Sequence, residues 1–129
     1  MNAEDMKQRT KALAIRVIRL VESLPNGAAS RTIGAQLLRS ATSVGANYRA
    51  ACRARSRADF IAKMGIVEEE ADETIYWLEL LAESGIVEAP RLADLARETS
   101  EILAMTIASK KTARRNQALN RQSPFANRL

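Results

Sequence analysis

Histidine is absent from the 129 residues, and cysteine occurs once, at Cys52. Without histidine the chain loses the commonest general base, the commonest metal ligand and the Glu-x-x-His motif that builds di-iron sites in helical bundles. A lone cysteine rules out an intrachain disulfide, and nothing points to an oxidising compartment. Aromatic residues make up only 4%, and there are just five glycines and three prolines. That scarcity argues against a sandwich or barrel and for a helical bundle. No stretch approaches the roughly 18 apolar residues of a membrane span. Near the start, Glu4 and Asp5 sit close to Lys7, Arg9 and Lys11, and Arg16 and Arg19 interrupt the apolar residues. A signal peptide needs an unbroken apolar core, so the expected location is the cytoplasm.

What is abundant is charge, and it is segregated. The net charge is +5. Residues 23–58 contain six arginines and no acid, residues 59–101 contain twelve acids against three bases, and residues 102–129 contain six bases and no acid. Blocks of this kind pair with one another, within a bundle or between subunits, or present opposite faces to different partners.

The apolar spacing predicts four helices in one domain. The first runs from about Ala3 to Leu24 on Met6, Leu13, Val17, Leu20 and Leu24, with Ala14, Ile18 and Val21 widening the stripe. Pro25, Asn26 and Gly27 end it. The second starts near Ser30 or Thr32, either of which can cap it, and carries Ile33, Leu37, Ala41, Val44, Tyr48 and Ala51. Gly34 and Gly45 each cost this helix about 1 kcal/mol of propensity, which implies close approach to a neighbour in the core or across a subunit boundary. The third begins at Ser56, where Asp59 completes a capping-box variant, follows Phe60, Met64, Val67, Ala71, Ile75, Leu78 and Ala82, and stops at Gly85. Pro90 suits the first turn of the fourth, which carries Leu92, Leu95, Thr99, Ile102, Leu103, Thr106 and Ala113. Short links make neighbours antiparallel, so the expected fold is an all-α, up-down-up-down four-helix bundle over residues 1–118 with a loose tail at 119–129.

No residue set carries recognisable chemistry. Glu68, Glu69, Glu70, Asp72 and Glu73 form a dense acidic cluster that suits a solvated or arginine-paired face better than a hard-cation site. Cys52, near Arg49, Arg53 and Arg55, has neighbours that favour a thiolate but no partner base, and reads as a packed small residue. The expectation is therefore no catalytic residue, metal, cofactor or small-molecule substrate. Tyr48, Tyr76 and Trp77 are the large amphipathic residues and the candidates for a subunit interface, and Trp77 suits the bundle core equally well. Arg49, Arg53 and Arg57 recur every four residues, Arg55 joins them, and Lys110, Lys111, Arg114 and Arg115 form a second basic set. Guanidinium forks suit phosphate. The same groups would equally neutralise the acidic third helix or a neighbouring subunit, and no aromatic residues interleave as in a single-strand binder.

Several segments taken together carry a resemblance: Gln36-Leu37-Leu38-Arg39-Ser40, Ser43-Val44-x-Ala46-Asn47, Arg55-Ser56, Asp59-Phe60, and the run from Glu70 through Glu73 to Leu78-Glu79-Leu80. In this order and spacing the chain resembles the small bacterial four helix bundle proteins related to proteins encoded in 23S ribosomal RNA intervening sequences. Relatives often read Ser-Ile-Pro-Ala-Asn-Ile-Ala-Glu-Gly through the middle of the second helix. Here Gly45 stands for the proline, Arg49 for the alanine and Ala50 for the glutamate, which makes the region more basic. The resemblance implies a homo-oligomer, a ring-like pentamer. One related branch, the accessory variability protein of diversity-generating retroelements, is a basic partner of a reverse transcriptase and its nucleic acid. By that analogy the two basic sets are expected to bind RNA or DNA weakly and without sequence preference. The competing expectation is a structural, protein-interaction module with no nucleic-acid role.

Overall fold

The computed structural model describes residues 2–122. Four helices follow one another: α1 (Ala3–Glu22), α2 (Ala28–Cys52), α3 (Arg57–Glu83) and α4 (Ala89–Gln122). Contacts run α1 to α2, α2 to α3, α3 to α4, and more sparingly α4 back to α1, as in an antiparallel up-down-up-down bundle. Among the described residues, no helix is long and apolar enough to cross a membrane.

Local chemistry sets the helix ends. Asn2 and Asp5 form a reciprocal capping box on α1: the Asp5 amide donates to Asn2 Oδ1 at 2.9 Å and the Asn2 amide to Asp5 Oδ2 at 3.1 Å. The expected cap of α2 at Ser30 or Thr32 is overturned. Gly27 is the N-cap, and its φ of 151° is a conformation only glycine adopts readily, so the helix starts two residues early at Ala28. Ser56 does cap α3, accepting from the Asp59 amide at 3.0 Å. The Asp59 carboxylate reaches back to the Arg55 amide at 3.2 Å, one residue beyond the expected partner, and to Lys63 Nζ at 2.6 Å. These donors, Lys63 first, hold the Asp59 carboxyl below its ordinary value. Gly85, with φ 79°, closes α3 by donating to the Ala82 carbonyl. Helix α4 stays helical to Gln122, so 119–122 belong to it and not to a tail; 123–129 lie outside the described residues.

The core follows most of the expected stripes, with Leu13, Val17, Leu37, Val44, Met64, Val67 and Ile102 fully enclosed; on α3, Leu81, outside the expected seam, is enclosed as well, while Ile75 is only half-buried. Ile18 is an exception. It follows Val17 and so sits about 100° round the helix, on the outer face. Thr10, Thr74, Thr99 and Thr106 are also buried, and each returns its hydroxyl to the carbonyl four residues earlier. The Thr74 hydroxyl also lies 3.0 Å from Ser40 Oγ, a polar stitch between α2 and α3.

The small residues of α2 serve the α1 contact. A Cβ added at Gly45 would lie 3.2 Å from Thr10 Oγ1, and one at Gly34 would lie 3.0 Å from Leu24 Cδ1. Where α1 meets α4, charge closes the bundle. Arg9 pairs with Glu98 and Glu101, and Arg16 meets Asp94 at 2.7 Å. The Glu98 bond, above all, raises the Arg9 guanidinium above its usual value.

Gly45→Val should therefore destabilise the protein by about 1–3 kcal/mol, because the α1 backbone and Thr10 cannot retreat freely. Gly65, helical with nothing within 4 Å of an added Cβ, is the control. Gly65→Ala should stabilise by about 0.5–1 kcal/mol. Urea unfolding of both variants measures the difference, and a neutral Gly45→Val would contradict the close approach.

Candidate nucleic-acid interface

Helix register decides where the two basic sets lie. Helix α2 ends, α3 begins and α1 begins at the same end of the bundle. Helix α4 runs toward that end and past it. Arg9 contacts Met105 Sδ at 3.7 Å, and the start of α1 lies level with Ser109, yet α4 continues to Gln122, about 20 Å further at 1.5 Å per residue. The α2–α3 link and the overhanging last third of α4 are consequently neighbours. Arg57, Phe60, Ser109, Thr112, Ala113 and Asn116 line one notch of about 540 Å³ between them.

This end holds all eight basic candidates. Arg49 is on the last turns of α2, Arg53 is its C-cap, Arg55 is in the link and Arg57 opens α3. Lys111, Arg114 and Arg115 ride the α4 overhang, where Arg121, which the sequence pattern left out, extends the set. Each of these is exposed, and among the described residues none forms an ion pair. Lys110 is the exception. Its Nζ sits 2.5 Å from Glu68 Oε1 and its side chain is only 16% exposed, so it belongs to the α3–α4 seam.

Three acids of α3 are paired by residues other than these arginines. Arg39 takes Glu70 and Glu73, and the Glu73 bond chiefly raises its guanidinium. Lys110 takes Glu68. Among the described residues no three acids, cysteines or histidines converge as a metal site.

The same end is hollow. Met6 of α1, Tyr48 and Cys52 of α2, Phe60 and Met64 of α3, and Met105 and Ser109 of α4 line a cleft of about 660 Å³. Tyr48 is therefore not on an outer subunit face as expected; it is buried in the wall of this cleft. Burial, and then the Cys52 thiol beside it, push its phenol from 10.0 up to about 12. Cys52 itself is exposed. Tyr76 and Trp77 sit elsewhere, on α3, in an edge-to-face pair with ring centroids 5.0 Å apart. Tyr76 is exposed; Trp77 is half-buried, with an indole N–H that finds no partner among the described residues.

Comparison with known proteins places this geometry. A family profile described as 23S rRNA-intervening sequence protein matches residues 3–108. A crystal structure of a protein of unknown function from the S23 ribosomal protein family of Bacteroides thetaiotaomicron is 36% identical, covering 86% of this chain and 99% of that one, with a TM-score of 0.77. No curated protein matches the chain.

The raised Tyr48 phenol links stability to alkaline pH. Its folded value lies above the unfolded one, so its contribution is whole below about 10 and is lost as pH rises toward about 12. The melting temperature of the wild type should fall more steeply over that window than that of Tyr48→Phe. Parallel curves would show that Tyr48 is not buried as described.

Proposed function

The chain belongs to the 23S rRNA-intervening sequence protein family, and from that premise we propose that it is a non-enzymatic, oligomeric helical-bundle protein of the cytoplasm that binds nucleic acid through its basic end. One observation supports this reading above the others. Antiparallel register gathers Arg49, Arg53, Arg55, Arg57, Lys111, Arg114 and Arg115 at one end with no ion pair among the described residues, while Glu68, Glu70 and Glu73 of α3 are paired by Lys110 and Arg39. Unpaired guanidinium and ammonium groups on an exposed surface attract phosphate backbones and release counter-ions, with no requirement for sequence.

Assembly has its own support. The outer face of α1 carries Lys11, Ile15 and Ile18, and the outer face of α3 carries Ile66, Glu69, Asp72 and Tyr76, all exposed. Helices α1 and α3 lie diagonally across the bundle, so their outer faces point in opposite directions. A basic-apolar face on one side and an acidic-apolar face on the other suit a head-to-tail contact, and heterologous contacts of this kind form rings when the rotation between subunits closes. A ring such as the pentamer implied by the family resemblance would repeat the basic end around its axis and multiply a weak attraction. The same exposed apolar residues would serve a protein-interaction module, the reading that stands if nucleic acid is not bound.

A gel shift with structured RNA and duplex DNA separates these. Binding of both is expected at 50 mM salt, weakening by about a hundredfold at 200 mM if some four phosphates are contacted. Arg53→Glu with Arg57→Glu should abolish the shift without changing the oligomer size. No shift at low salt, or an unaffected double variant, would make the arginines structural. Light scattering at tens of micromolar should report an oligomer that Ile18→Glu dissociates with helicity intact; a monomeric wild type would remove the assembly.

A further inference from the structure

The cleft at the basic end is too apolar to be part of a phosphate-binding surface and too polar to be ordinary core. Met6, Phe60, Met64 and Met105 give it flat, polarisable walls, while the Tyr48 hydroxyl and Ser109 supply hydrogen-bonding groups inside it. Its volume of about 660 Å³ falls within the range of small-ligand sites. It is also continuous with the basic notch, because Phe60 and Ser109 line both and Arg57 lines the notch. Cys52, Ala54 and Ser56 form its edge, so Arg53, Arg55 and Arg57 alternate with the rim residues. Of the nearby acids, Asp59 is ion-paired with Lys63 and accepts from the Arg55 amide, and Asp5 accepts from the Asn2 amide.

An apolar slot with internal polar groups, rimmed by arginines, matches one chemical object well. It is a nucleobase, whose faces stack and whose edges hydrogen-bond, attached to phosphates that lie outside the slot. An acyl chain would leave the Ser109 hydroxyl without a partner in the cleft. We infer that the cleft receives a single unpaired nucleobase, so that the preferred ligand is RNA carrying a bulged or terminal unpaired base and not continuous duplex. This rests on the nucleic-acid reading above and narrows it: the arginines hold the flanking phosphates, and Phe60 with the methionines holds the base.

Three RNA hairpins of equal length test it: fully paired, with one bulged adenine, and with an abasic bulge that keeps the bend but has no base. The bulged hairpin should bind about tenfold tighter than the paired one, in line with the worth of stacking one base, and the abasic hairpin should match the paired one. Ala108→Trp, at an exposed position on the cleft wall, should fill the slot and erase the preference while leaving affinity for paired RNA unchanged. In place of the bulged adenine, 2-aminopurine should change its fluorescence on binding to the wild type and not to this variant. Equal affinity for the bulged and abasic hairpins, with paired RNA still bound, would overturn the base-binding cleft and spare the basic surface. Failure to bind any of the three would remove both.

Discussion

Antiparallel packing of four helices with unequal lengths, 20, 25, 27 and 34 residues, governs where every charge in this protein ends up. The buried seam from Leu13 and Leu37 through Val67 and Ile102 fixes their mutual register. Any shift would strand apolar side chains in water at about 25 cal/mol per Å². Given that register, excess helix length must protrude. Helix α4 has the excess and protrudes beside the α2–α3 link. Two basic segments that are far apart in sequence thus become neighbours at one end.

The close α1–α2 contact and the ion-paired α1–α4 contact are the two sides of one arrangement. Gly34 and Gly45 draw α1 against α2, where packing holds it. On its other side α1 meets α4 more sparingly, and Arg9 and Arg16 bridge to Glu98, Glu101 and Asp94. Arginines in the middle of the bundle are used in this way, as Arg39 is on α2. Those at the basic end form no ion pair among the described residues, and that difference separates structural charge from charge free to meet a partner.

Much of this was legible in the sequence. Apolar spacing reveals the four helices and most of their buried residues, including Thr99 and Thr106, which a search for purely apolar positions would miss. The Ser56 cap and the Gly85 stop follow from local chemistry. The Gly27 cap did not, because two hydroxyl residues downstream competed with it and only the backbone angle decides. Ile18 was misplaced because α1 has too little neighbouring surface to bury a wide stripe. For the interface, residue type alone left open whether an arginine was paired. Arg39 and Lys110 are drawn to acids by helix register, which single-helix periodicity does not contain. Tyr48 already stood on the apolar stripe of the second helix, but the cleft around it was hidden, since it arises only where three helix ends are brought against the side of α4.

The central claim is spatial: one end of the bundle meets nucleic acid, and the opposite end does not. Amide NMR shifts recorded while a short structured RNA is titrated into the labelled protein test it most directly. The account predicts perturbations concentrated in residues 49–58 and 109–121, with the links at 23–27 and 84–88 silent. Perturbations centred on those distant links, or on the outer faces of α1 and α3 alone, would contradict it.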